Sequence, residues 1–242
     1  MTNRKQRIVP VDEEVRVRRS YFDCRYGQLH VRTAFPSSGG FDEHTTLLCF
    51  HPATAAGRAF HHFLPHIAAD RSVYAPDAPG CGESDAPPGV PSIADYAAAS
   101  VDFIETMRLR QVDVLGHGVG ALVAAELAIL KPEQVRRLVL VSIPLARCSP
   151  PAAASAAVDE GAVQLARYAE AARQYAAPER LLLVRQPTLV LRPKDEHWDS
   201  TLHARQYLHG IRLVDLPDVD HRLFETAPAE VAGHTRDFLN AR

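Results

Sequence analysis

The chain has 242 residues, 46% of them hydrophobic, with 27 Lys and Arg against 29 Asp and Glu and a formal net charge of −2. That length predicts one large domain, or a domain with a small insertion, built on a sizeable core. The near balance of charge excludes an overall field that would gather nucleic acid or an anionic membrane, and no run of about 18 apolar residues offers a membrane span. The chain starts polar and basic, Asn3-Arg4-Lys5-Gln6-Arg7, without the apolar stretch of a signal peptide. Asp12-Glu13-Glu14 follows at once, which is the pattern of a solvated tail. Cys24, Cys49, Cys81 and Cys148 form no C-x-x-C pair. Reduced thiols and a cytoplasmic setting fit them better than a disulfide framework.

Val15 to Cys24 and Gln28 to Phe35 read as two strands around a Tyr26-Gly27 turn. Thr45 to Phe50 and Ser72 to Ala75 are short apolar runs, the look of strands buried on both faces. Between them, Phe60 to Ala69 suggests a helix made irregular by Pro65. Ser92 is placed to cap a helix whose Ile93, Tyr96, Ala97, Ser100, Val101 and Ile104 share one face. Val112 to Leu115 and Arg137 to Ile143 are further strands, with an apolar helix from Leu122 to Leu130 between them. From Arg147 to Glu179 the composition turns to alanine and proline, which predicts a small helical cap over the site. Leu189 to Leu191 reads as a strand, Thr201 to Leu208 as a helix, Ile211 to Leu216 as the last strand and Ala229 to Leu239 as the closing helix. Strands alternating with helices predict a parallel α/β sheet covered on both faces. The expected division is a core of residues 1–146 and 180–242 with the cap, 147–179, inserted.

The most informative stretch is Gly116-His117-Gly118-Val119-Gly120, where an apolar strand ends and an apolar helix begins. That layout matches the G-x-S-x-G nucleophile elbow, which lifts a serine out of the top of an α/β sheet. Aligned on its outer glycines, the motif has Gly118 where the serine belongs. Glycine has no side chain and cannot attack a carbonyl.

Three more segments follow the same order. Leu47-Leu48-Cys49-Phe50-His51-Pro52-Ala53 resembles an apolar strand ending in His-Gly-x, with Pro52 in place of the glycine. Asp77-Ala78-Pro79-Gly80-Cys81-Gly82-Glu83-Ser84 matches D-x-P-G-x-G-x-S. Pro187 to Asp195 looks like the strand and turn that present an acid, and Val219-Asp220-His221 sits where a histidine follows. From about Val15 onward the chain therefore resembles the α/β-hydrolase family (lipases, esterases, haloperoxidases). The resemblance implies an eight-stranded, mostly parallel sheet flanked by helices, with the site residues in the order nucleophile, acid, histidine. It places the acid at Asp195, the base at His221 and the oxyanion donors on the N–H groups of Ala53 and Val119. Pro52 removes one N–H and stiffens the loop.

An aspartate–histidine pair needs no serine to act as a base on water or on an acidic proton. Equally, it is what an inherited pair with no remaining task would look like. Glu196 and Asp199 are the fallback acids if the turn is displaced. The room left at Gly118 is about one water molecule. A shift of one residue would make His117 the apex, at the expense of the glycine spacing. His51 is expected to pack under the oxyanion loop. Cys81 reads as a small loop residue, and Trp198 and Phe224 as either cleft lining or core. His61, His62 and His66 are read as surface or packing histidines, because Pro65 interrupts the turn and no acidic or cysteine partner is close.

The leading expectation is an enzyme acting on a small carbonyl-containing substrate, with His221 and Asp195 as a general-base dyad and no cofactor or metal. The reaction would be a hydrolysis or a lyase- or isomerase-type step. The alternatives are a non-catalytic protein that binds a ligand or partner in the same cleft, and a serine hydrolase carrying a Ser→Gly change. Neither nucleic acid nor a membrane is an expected partner, and oligomeric state is open.

Overall fold

The structure is a computed structural model that describes residues 15–37, 44–145 and 160–241. The basic start of the chain, Cys148 and residues 147–159 of the expected cap lie outside the described residues.

Eight strands form one sheet. They are β1 (Arg18–Cys24), β2 (Gly27–Ala34), β3 (Thr46–Phe50), β4 (Val73–Pro76), β5 (Val112–His117), β6 (Val135–Val141), β7 (Thr188–Pro193) and β8 (Arg212–Leu216). Their spatial order is β1-β2-β4-β3-β5-β6-β7-β8. β2 runs antiparallel to β1 and to β4, and every other pairing is parallel. The parallel strands therefore end on one edge, and the loops that follow them meet there.

Successive strand residues point to opposite faces. Leu48, Val114, Leu140 and Val190 join one core, while Leu47, Leu115, Val139 and Leu191 join the other. Burial on both faces is why these strands read as continuous apolar runs. The first core is covered by α2 (Ile93–Thr106) and α3 (Val119–Leu130), the second by α1 (Phe63–Ile67) and, near the C-terminus, by α7 (Leu223–Thr226) and α8 (Pro228–Leu239). Ser92 closes a capping box on α2: its hydroxyl accepts from the Asp95 N–H at 3.2 Å, and Asp95 Oδ2 accepts from the Ser92 N–H at 2.8 Å.

Two expected helices are shorter than their sequence suggests. The Phe60–Ala69 segment becomes a 3₁₀ turn, Gly57–Phe60, followed by α1. Pro65 is the third residue of α1, where its missing N–H breaks no intrahelical bond. The Thr201–Leu208 segment splits into α6 (Trp198–Leu202) and a 3₁₀ turn, His203–Gln206.

α4 spans Glu160–Gln174 and α5 spans Ala177–Leu181, which runs two residues past the segment expected as a cap. α4 turns Gln164, Tyr168 and Ala171 inward, one helical face at i, i+4 and i+7. Tyr168 is fully buried beside Tyr96, its ring centroid 4.7 Å from that of Tyr96, and its hydroxyl donates to the His51 carbonyl at 3.4 Å.

Candidate active site

The bend between β5 and α3 is formed by Gly118, at φ +57° and ψ −121°. Its N–H donates to the Val141 carbonyl at 3.0 Å, and its own carbonyl accepts from the Ala121 N–H at 2.9 Å. The outer glycines have a separate cause. A Cβ on Gly116 would stand 2.2 Å from the Gly120 carbonyl oxygen, and one on Gly120 would stand 2.2 Å from that of Phe50. No side chain fits at either position. At Gly118 the added Cβ would meet no such backbone oxygen; its nearest neighbour is Pro52 Cβ, at 3.3 Å.

The segment after β3 is braced from both sides. His51 is buried, and its Nε2 accepts from the Ala78 N–H at 2.9 Å. Its Nδ1 therefore carries the proton and donates to the Pro52 carbonyl at 2.9 Å. Burial pushes the His51 pKa down, which keeps the ring neutral. Among the described residues, no hydrogen bond within the chain takes the N–H of Ala53 or of Val119. Val119 opens α3, where the first N–H groups have no intrahelical partner.

The D-x-P-G-x-G-x-S string is a loop lock. Asp77 is buried, and its carboxylate accepts from the Gly57 N–H at 2.6 Å, the Glu83 N–H at 3.0 Å and His30 Nδ1 at 2.8 Å. The Ser84 hydroxyl donates to the Asp77 carbonyl at 2.8 Å and accepts from the His30 N–H at 3.0 Å. Cys81 is buried within this loop, and burial pushes its thiol up to about 12. It is a packed thiol rather than a reactive one.

Asp195 follows β7. Its Oδ2 accepts from the Ser142 hydroxyl at 2.5 Å and its Oδ1 from the His197 N–H at 2.9 Å. His221 stands on the turn between β8 and α7, exposed. The two turns are joined at their base, where the Lys194 N–H donates to the Val219 carbonyl at 2.7 Å. Among the described residues no hydrogen bond or ion pair joins Asp195 to His221; the carboxylate is engaged by Ser142 and His197 instead. Of the fallback acids, Glu196 is largely exposed, 3.6 Å from His197 Nε2, and Asp199 is exposed on α6.

His117 is buried, and its Nδ1 has no partner. Burial first, and then the nearness of His221, His197 and His51, drive its pKa down to about 3. A cavity of about 220 Å³ opens here, lined by Pro52, Thr54, Ala55, Ala59, His117, His221, Arg222, Phe224 and Glu225. Phe224 is thus a lining residue. Trp198 instead lies against Arg192 and Lys194, with the guanidinium carbon 4.0 Å and the ammonium 4.6 Å from its ring centre. His61, His62 and His66 are exposed. Among the described residues no group of three His, Cys, Asp or Glu is placed to hold a metal ion, and no helix is long and apolar enough to cross a membrane.

Ser142 is the residue that sequence reading overlooks. It follows β6 directly, buried, at φ +52°. The only sequence signal is its place directly after an apolar strand.

The family model of the alpha/beta hydrolase fold matches residues 45–199. Over 116 residues the chain is 34% identical to a 2-hydroxymuconate semialdehyde hydrolase of Pseudomonas sp. strain CF600, a match that covers 46% of this chain and 40% of that protein. The chain thus matches only about two fifths of that curated relative's length. The structure of the enol-lactonase from Burkholderia xenovorans superposes at a TM-score of 0.77 with 16% identity, covering 92% of this chain and all of that one. A hydrolase from Pseudomonas aeruginosa gives 0.76 with 22% identity, covering 92% of this chain and 98% of the other. At these identities the structural likenesses speak for the fold.

Proposed function

Because the chain belongs to the alpha/beta hydrolase fold family, we propose that it acts on a small carbonyl compound, with His221 as general base and no covalent intermediate at Gly118. The observation that carries this reading is the cavity of about 220 Å³ beside the side-chain-free bend, with His221 in its wall. A water held there gives its proton to the His221 imidazole while its oxygen attacks the carbonyl carbon. The carbonyl oxygen gains negative charge, which the Ala53 and Val119 N–H groups hold. The imidazolium then returns the proton to the leaving group as the bond to it breaks. His117, kept neutral by burial, adds no positive charge beside that base. The semialdehyde named for the curated relative is a carbonyl compound, which supports the substrate class.

The test is turnover of small lactones and activated esters by wild type and His221→Ala. Wild type is expected to turn over at least one of them, with a loss of 10²-fold or more in the variant, and a fluorophosphonate probe should leave no adduct. Equal turnover in the variant, or a phosphonylated side chain at the site, would refute the proposal.

One observation favours a second reading, a binding protein without turnover. Asp195 has its carboxylate satisfied by Ser142 and His197 and not by His221. Under that reading no substrate is consumed, and His221→Ala leaves ligand affinity nearly unchanged.

A further inference from the structure

We infer that Pro52 and Gly118 are a matched pair: the Pro52 ring crowds the Cβ that any side chain at position 118 would bring, so the chain is held to chemistry without a nucleophile by two residues. The inference deepens the reading of His221 as a base acting on water, but it stands on packing and needs no activity.

The three elbow glycines are not held for the same reason. Gly116 and Gly120 are compelled by backbone oxygens at 2.2 Å from any added Cβ. Gly118 meets no such backbone oxygen; at φ +57° a side chain there carries backbone strain, the same in either Pro52 background, and its Cβ has one close neighbour. A Cβ there would meet only Pro52, with Cβ at 3.3 Å and Cα at 3.7 Å. Carbon atoms pack best at about 3.5–4.0 Å, so the contact is tight and one atom has to give. Neither side can do so easily. The proline ring is locked to its own backbone and has no rotamer that leaves. Its carbonyl is held by His51 Nδ1 at 2.9 Å and by the Ala55 N–H at 3.3 Å. His51 is in turn held by the Ala78 N–H and by Tyr168. Gly118 is fixed by Val141 on one side and Ala121 on the other. Gly120 lies close under the Phe50 and His51 carbonyls, which sets the spacing between the two segments. The Pro52 ring also lines the cavity. A molecule bound there meets Pro52 as part of the wall next to position 118.

The two departures from the family pattern are therefore one change. A lone Gly118→Ser presses on Pro52, which has to give by a few tenths of an ångström, and a lone Pro52→Gly leaves a gap over a bare bend. The experiment is a thermal-melt cycle on the full chain: wild type, Gly118→Ser, Pro52→Gly and the double variant. Gly118→Ser is expected to lower Tm by at least about 3 °C more in the wild-type background than in the Pro52→Gly background, a coupling of roughly 1 kcal/mol for a chain of this size. Equal losses in the two backgrounds would overturn the pairing. If Pro52→Gly does not fold, the crystal structure of Gly118→Ser decides instead: the segment from His51 to Ala55 is expected to move away by several tenths of an ångström, and an unmoved segment refutes the inference. Neither readout involves turnover, so failure of the His221 reading leaves this result intact.

Discussion

The Ser142 hydroxyl donates to Asp195 Oδ2 at 2.5 Å from a backbone held at φ +52°. A non-glycine residue in that region carries about 1 kcal/mol or more of strain. A hydrogen bond to a charged carboxylate contributes about 1.5–3 kcal/mol, enough to offset the strain. Both effects sit on one residue, so two substitutions separate them. Ser142→Ala keeps the strain and loses the bond. Ser142→Gly loses both. The expected order of Tm is wild type, then glycine, then alanine, with alanine lower than wild type by several degrees. An alanine variant as stable as wild type would show that the bond contributes nothing.

His117 makes stability depend on pH. Unfolded, the ring titrates near 6.5; folded, at about 3. Between those values the unfolded chain binds more protons, so stability is full above 6.5 and drains as pH falls toward 3. The slope contributed by this one ring is about 1.4 kcal/mol per pH unit inside the window. His51 is shifted in the same direction by burial and adds to the acid sensitivity. Denaturant melts of wild type and His117→Gln from pH 7 to pH 4 check this. The variant should lose stability on acidification less steeply, by roughly one proton. Parallel curves would mean that His117 is protonated in the fold.

The elbow makes a sharp comparison between neighbours. Gly120→Ala places a Cβ 2.2 Å from the Phe50 carbonyl oxygen, a backbone atom at the end of β3 that cannot turn aside. The cost should reach about 3 kcal/mol, the upper range for overpacking, or abolish folding. Gly233→Ala is the control, since an added Cβ there meets nothing within 4 Å. On a helix that change should be neutral or stabilising by up to about 1 kcal/mol. Comparable losses at the two positions, measured by thermal melts, would remove the close-approach argument for Gly120.

These residues also show what a sequence can and cannot convey. The elbow, the Asp77 string and the Ser92 cap are legible because each works through contacts a few residues apart in the chain or through a fixed backbone turn. Asp77 reaches Gly57, Glu83 and His30, and the string advertises only the loop part of that. The pairing of Pro52 with Gly118, and of Ser142 with Asp195, joins loops that follow different strands. Nothing in either local pattern names the other partner. The helix ends are blurred for a similar reason: Phe60–Ala69 and Thr201–Leu208 have helical composition, yet tertiary packing divides each into a short helix and a 3₁₀ turn. Asp195 follows β7 and His221 follows β8, but no sequence pattern says which partner the carboxylate takes.

α5 and the residue after α4 are tied to α3 through the buried carboxylate of Glu126, beside their apolar packing. Glu126 is 2% exposed and accepts from the Tyr175 hydroxyl at 2.7 Å and from Arg180 at 2.9 and 2.5 Å. The two ends of the ion pair differ in exposure: the Arg180 side chain is 34% exposed, that of Glu126 only 3%. Removing Glu126 leaves a guanidinium that water can reach. Removing Arg180 leaves a buried charge with one hydroxyl for company, which costs about 3 kcal/mol. Arg180→Ala is therefore expected to be the more damaging change, and Glu126→Ala the milder one at about 1–2 kcal/mol. The double variant should recover part of the Arg180→Ala loss, because no unpaired charge remains. Hydrogen exchange should show the loss first in α4 and α5, ahead of the β-sheet. If Glu126→Ala proves the worse of the two single changes, the carboxylate is not the buried partner and α4 and α5 are held by packing around Tyr168 alone.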